Sequence, residues 1–251
     1  MSFLDNILFA LLLVAGIGYF TINVKKLIRN IKLGQDVDRT DNPSERWKNM
    51  TMVALGQSKM VKRPIAGFLH IVVYVGFVII NIEVIEIIID GLFGTHRVLS
   101  FMGGFYDVLI GSFEILAFLV LITVVIFWIR RNVTKLGRFA SSDLDGKPRN
   151  DANYILYFEV VLMTLFLVMN AADFHLQNLG IGHYNQAGSF PISQFIAPMF
   201  NGMSEGLVVI IERAAWWLHI AGILVFLNYL YYSKHLHILL AFPNTFYADL
   251  N

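Results

Sequence analysis

Seven histidines and no cysteine set the redox chemistry open to this chain. Without a thiol it can hold no disulfide, no Fe–S cluster, no thiolate-bound metal and no covalently attached c-type haem. Any redox centre must be held by imidazole or without a covalent bond. His219 and His237 are eighteen residues apart in the stretch Trp216 to Asn244. On one continuous α-helix that is five turns, so both side chains leave the same face. They would then lie about 27 Å apart along the axis, close to the thickness of a bilayer's hydrocarbon core. Two same-face imidazoles at two depths imply two iron sites, or one site and one hydrogen-bonded structural histidine. His70, two turns in from Lys62-Arg63, matches the depth of His237. A porphyrin between the segments carrying them could take one axial imidazole from each. Such six-coordinate iron suits electron transfer, because no position stays open for substrate. On a helix His235 points about 200° away from His237. It is expected to serve as a propionate or interfacial partner, with Lys234 neutralising a propionate.

The elements that must position these groups are membrane helices. The 251 residues are 57% hydrophobic and 15% charged, with mean hydropathy +0.63, outside the range of soluble domains. Five apolar runs are long enough to span: about Phe3 to Ile22, Pro64 to Ile89, Val108 to Ile129, Tyr154 to Ala172 and Ala214 to Tyr232. The expected fold is therefore an all-α integral membrane bundle of five transmembrane helices in a single domain, residues 1–251. Ten Lys/Arg lie between spans one and two, six between three and four, and Lys234 follows span five, leaving only Arg97 and Arg213 elsewhere. The positive-inside rule puts the N-terminus outside and the C-terminus in the cytoplasm. The first run has no basic n-region and no cleavage site, so it is expected as an uncleaved span. The segment Glu45 to Lys62 is expected at the interface, on lipid or facing a soluble partner. The outer loop Asp173 to Arg213 is expected to cap the outer end of the bundle. The basic residues form no single patch, which argues against nucleic acid, and no phosphate loop, nucleophile triad or zinc motif is present.

The stretch YYSKHLHILLAFPNTFYADL, preceded by WWLH, resembles the last helix of the nitrate reductase gamma-subunit family of b-type cytochromes. It resembles most the membrane half of the heterodisulfide-reductase-related Fe–S oxidoreductases, including electron-transfer-flavoprotein:quinone oxidoreductases. FLHIVVYVGF is similar to that family's second helix, and the resemblance covers essentially the whole chain. It implies haem b, a quinone as substrate, an Fe–S protein or fused Fe–S domain on the cytoplasmic side, and residence in a bacterial-type inner membrane. Matched residue by residue, His70 and His237 become the axial pair of a cytoplasmic-side haem, and His219 a ligand of an outer-side haem.

Two departures qualify the resemblance. Where the gamma subunits carry a second histidine on the second helix, this chain reads Ile79-Ile80-Asn81. The partner of His219 is then expected from His175 or, second, His96; one haem with a structural His219 is the equal alternative. Related proteins often continue into a cysteine-rich domain where this sequence stops at Asn251, so the chain is expected as the N-terminal part of a longer oxidoreductase or as a subunit beside one. Among the intramembrane acids, Glu83 and Glu114 are the candidate proton relays for quinone chemistry, while Glu86 and Asp90 are expected to pair with Arg97 or Arg213. The competing functions are a haem-free membrane anchor of a redox complex and a transporter using the buried acids; the lack of repeats and of Gly/Pro-broken helices argues against the latter.

Overall fold

The computed structural model describes residues 3–134 and 146–250. Lys135 and Arg138 of the basic loop, and Asn251, lie outside the described residues. Among the described residues five helices are long and apolar enough to cross a bilayer: α1 (Phe3–Ile31), α3 (Pro64–Phe93), α4 (Gly104–Asn132), α5 (Lys147–Leu179) and α6 (Glu205–Leu230). Two short helices, α2 (Pro43–Met50) and α7 (Leu236–Phe246), accompany them. The signals that start and stop these helices are local. Pro64 opens α3 and Pro148 lies in the first turn of α5, where a missing N–H costs nothing. Gly94 (φ 70°) and Gly180 (φ 65°) close the same two helices in the left-handed conformation that glycine adopts without strain.

The helices pack as a bundle around Phe9, Ile110, Phe113, Val124, Phe166 and Ile220, all buried. Leu4, Leu11, Phe68, Ile85, Val108, Ile210 and Leu218 are exposed on the outside, the apolar exterior that lipid requires. Two glycines set close approaches. A Cβ at Gly91 of α3 would fall 2.5 Å from the Phe9 ring of α1, and one at Gly222 of α6 would fall 2.8 Å from Leu162 of α5. Either addition forces the helices apart.

The bundle has two unlike ends. At one lie the α3–α4 and α5–α6 connections, which we term the loop end. The segment 180–204 folds over it through short 3₁₀ turns at Ser193–Phe195 and Ala197–Phe200, so the expected cap is present. At the other, the basic end, α2 and α7 lie against each other, and Thr51–Leu55 continues α2 as one π-helical turn. Arg46, buried, joins them: its guanidinium donates to the carbonyls of Phe246 (3.0 Å) and Ala248 (2.9 Å) and to Asp41. Asn49 adds a bond to the Thr245 carbonyl, and Trp47 meets Phe246 edge-on at 5.3 Å.

Two expectations are corrected here. The last span begins at Glu205, nine residues before Ala214, because the charge of Glu212 is buried inside the fold, paired with the half-buried Arg213 and bonded by Tyr184. His219 therefore lies at the middle of α6, level with Leu162 of α5, and not near a membrane surface. Second, the helix is not continuous to His237. Residues 231–235 form a turn, fixed by Asp151 of α5, which accepts from the Tyr229 hydroxyl (2.6 Å) and the Lys234 N–H (2.9 Å). The same-face relation of His219 and His237 disappears with the helix that defined it.

Candidate functional site

Three groups of polar side chains lie along the bundle. At the basic end, His70 stands two turns into α3, and His235 and His237 stand in the turn and first residues of α7. His70 is within electrostatic reach of His237 and of His235. The rings of His235 and His237 are only 5.5 Å apart and tilted by 58°. The expected opposition of these two side chains fails, because it assumed helical geometry where the backbone turns. His237 Nδ1 lies 2.8 Å from the Lys234 carbonyl, which can only accept, so Nδ1 carries the proton and Nε2 keeps its lone pair. His235 packs against Phe226 at 5.9 Å, and its Nδ1 is buried without a hydrogen-bond partner. Burial, and then the His237 and His70 charges, push its pKa down to about 4. Two cavities open here, of about 220 Å³ beside His235, His237 and Lys234, and about 490 Å³ beside His70, Lys62 and Arg63, and both are lined by Phe127.

At mid-bundle, α3, α4, α5 and α6 enclose an apolar slot of about 70 Å³. Its polar lining is Asn81, Glu159 and His219. His219, 1% exposed, gives Nδ1–H to the Leu162 carbonyl at 3.1 Å. That fixes the tautomer and leaves Nε2 as the ring's remaining polar atom. Asn81, at the position where the resembled family carries histidine, is thus on the wall of the same slot as His219. His175 is not: it follows Leu162 by thirteen residues on α5, about 20 Å further along the axis. It cannot complete an iron site with His219, and it instead packs near Phe200. His96 is also excluded, lying at the loop end beside Asp173 (3.4 Å), His183 and Tyr184.

At the loop end the charges interlock. The Arg97 guanidinium bonds Asp173 of α5 (2.5 Å), the Asn170 side-chain oxygen (3.0 Å) and the Tyr106 hydroxyl (3.2 Å) of α4, and lies 4.9 Å over the Phe190 ring. Burial alone would lower its pKa; Asp173, Tyr106 and Glu83 more than reverse this and hold it well above the ordinary value. Glu86 accepts from the Leu99 N–H and the Tyr106 hydroxyl, and Asp90 from the N–H groups of Arg97 and Val98. Glu212 pairs with Arg213 and accepts from Tyr184, whose phenol is pushed up by burial and by that carboxylate. Amid them a cavity of about 30 Å³, room for one or two waters, is lined by Glu83, which is 3% exposed and has Oε2 without a partner. Glu114, paired with Glu83 in the sequence reading as a relay, is used otherwise: its Oε2 accepts from the N–H groups of Ile192 (3.0 Å) and Ser193 (3.1 Å), anchoring the loop-end cap.

Sequence reasoning missed Glu159 as a partner of His219, since only the α5–α6 register brings them to one slot. It also undervalued the loop-end network. A signal was present: Arg97 and Arg213 are the two cations isolated from all the others, in a neighbourhood of five acids.

The chain is similar to the probable iron-sulfur-binding oxidoreductase FadF of Bacillus subtilis (strain 168), with 31% identity over 243 residues, 97% of this chain and 32% of that protein. It is also similar to the EtfAB:quinone oxidoreductase of Syntrophomonas wolfei subsp. wolfei, with 23% identity over 221 residues, 86% of this chain and 29% of that protein. Both relatives are named as oxidoreductases, and the chain spans about a third of the length of each. No protein-family model matches it, and no solved structure matches it.

Proposed function

We propose that this chain is the haem-b-binding membrane part of a quinone-linked oxidoreductase, working between a membrane quinone and an iron–sulfur partner on its basic side. The observation that carries the proposal is the basic end, where His70 and His237, from helices far apart in sequence, stand beside cavities that share Phe127. The residues fit a haem. His237 presents Nε2 because Nδ1 is committed to Lys234, and His70 supplies the second imidazole. The buried, unpartnered Nδ1 of His235 can donate to a propionate, and Lys234, Lys62 and Arg63 line the same cavities with positive charge. Bound there, haem b would supply a one-electron iron couple. The names of the relatives support the redox and quinone assignments by analogy. The distribution of Lys and Arg supports a cytoplasmic basic end and an outside N-terminus, and the proposal takes the membrane to be a bacterial-type inner membrane.

In this reading one haem is bound. Among the described residues lining the mid-bundle slot His219 is the sole histidine, and a second axial imidazole is not at hand. Glu83, facing the small polar cavity, is the relay acid for protons exchanged with quinone. The test is a reduced-minus-oxidised spectrum of protein produced with haem supplied. b-type α and Soret bands, with a pyridine haemochrome stoichiometry of one, are expected. Haem-replete protein without these bands would be a haem-free anchor, and a stoichiometry of two would return His219 to iron.

A further inference from the structure

We propose that the mid-bundle slot takes the ring of a membrane quinone in its reduced, quinol form, with His219 Nε2 and the Glu159 carboxyl as the groups that accept from its hydroxyls. This rests on the quinone-linked reading above and gives that substrate a place. A quinol ring needs flat apolar walls and two hydrogen-bond acceptors, one for each hydroxyl. The slot supplies the walls through Val73, Phe77, Val84, Ile223 and Phe226. It supplies the acceptors through the Nε2 lone pair of a histidine whose Nδ1–H is committed to the Leu162 carbonyl, and through a carboxyl on the facing helix. These are also the groups that can hand protons to the ring oxygens or take them back.

Access and connection both favour this occupant. Phe77 is 40% exposed and Asn81 is exposed on the outer face of α3, so the slot opens sideways at the depth where lipid-soluble rings travel. At about 70 Å³ it is smaller than the roughly 150 Å³ that holds benzene, so a ring enters as Phe77 and the flexible Met163 move aside. A porphyrin is far larger. Toward the basic end the slot is closed by Phe226, whose ring meets the His235 ring at 5.9 Å. One aromatic side chain therefore separates the slot from the proposed haem site. Toward the loop end, Ile80 and Val84 line the slot, while Glu83, between them on α3, lines the polar cavity. The two spaces follow each other along α3, α5 and α6, one apolar and one wet.

The experiment titrates 2-methyl-1,4-naphthoquinol, kept reduced under nitrogen, by calorimetry into the full chain in lipid nanodiscs, with the b-type spectrum of each variant as the check on folding. Val84→Phe fills the slot, and Ile223→Phe fills it from α6 should the first variant not accumulate. Either is expected to abolish binding, and His219→Gln and Glu159→Gln to weaken it up to about tenfold each. Filling variants that bind as the parent does would overturn the slot and leave the quinone-linked function standing. A parent chain that binds no naphthoquinol would overturn both. Loss of haem from His219→Gln would show that the slot holds iron and overturn the proposal.

Discussion

The two ends of this bundle treat buried polar groups in opposite ways. At the loop end most charges are answered within the chain: Arg97 by Asp173, Glu212 by Arg213, and Glu86 and Asp90 by hydroxyl and backbone N–H donors, while one oxygen each of Glu83 and Glu114 keeps no hydrogen-bond partner. The space left among these charges amounts to about 30 Å³, and a cavity of about 400 Å³ beside Asp107, Gln177 and Gly188 carries no histidine. At the basic end three imidazoles cluster beside cavities of about 220 and 490 Å³, and one ring nitrogen is buried with no partner. Charges buried in pairs hold helices together, and breaking one pair is costly. Imidazoles held with a free nitrogen beside empty space are arranged for something that comes from outside the chain. The loop end reads as scaffold, and the basic end carries the proposed binding site.

The sharpest way to break that comparison is to remove a basic-end imidazole. His70→Ala or His237→Ala is expected to abolish the b-type bands completely and to unfold like the haem-depleted parent, and His235→Ala to leave both the bands and the unfolding of the haem-loaded parent. Absorption spectra and detergent unfolding curves report both effects. Loss of the bands from all three variants would mean that His235 holds iron too. At the loop end the expected pattern is reversed. Arg97→Ala strands Asp173 and is expected to cost about 3–5 kcal/mol of stability, read from the unfolding midpoint. Glu114→Leu removes the single oxygen that accepts from both Ile192 and Ser193, and is expected to cost about 1–3 kcal/mol. A parent-like melting curve for either variant would remove the scaffold assignment.

How far the sequence foretold this depends on whether the deciding contact was local. The five spans, the Pro64 start of α3, and the loop-end cap were legible, because apolar length and helix-terminal residues act where they stand. The start of α6 was not, since the charges of Glu212 and Arg213 read as surface until Tyr184 is seen closing over them. Nor was the break before α7: no proline or glycine marks it, and the carboxylate that fixes it, Asp151, comes from about eighty residues earlier. With that break went the five-turn argument for His219 and His237. What survived, the nearness of His70 to His237, had been inferred from depth alone. The assignment of His175 to His219 failed because the register between α5 and α6 is set by packing such as Leu162 on Gly222, which no spacing in one helix reveals.

The smallest expected effect sharpens the comparison by pH. Burial first, then the His96 and Arg213 charges, lower the His183 pKa at the loop end. The unfolded chain thus takes up a proton near pH 6.5 that the folded chain still refuses, so stability falls as pH drops below that value. Because His183 is exposed, the change is slight, and it is read as a difference between the parent and His183→Gln in melting temperature at pH 7.5 and 5.5. An equal drop in both would assign the acid sensitivity elsewhere.

The Arg46 tie between α2 and α7 has a mechanical meaning. Residue 46 leads into the helix that bears His70, and residues 246 and 248 follow the helix that bears His237, so one guanidinium acts as a strut across two hundred residues of chain. A redox metal changes its preferred bond lengths with each electron, and every such movement slows the transfer. Should the proposed haem be held there, Arg46 would limit such movement by tying the end of α7 to the segment that leads towards α3.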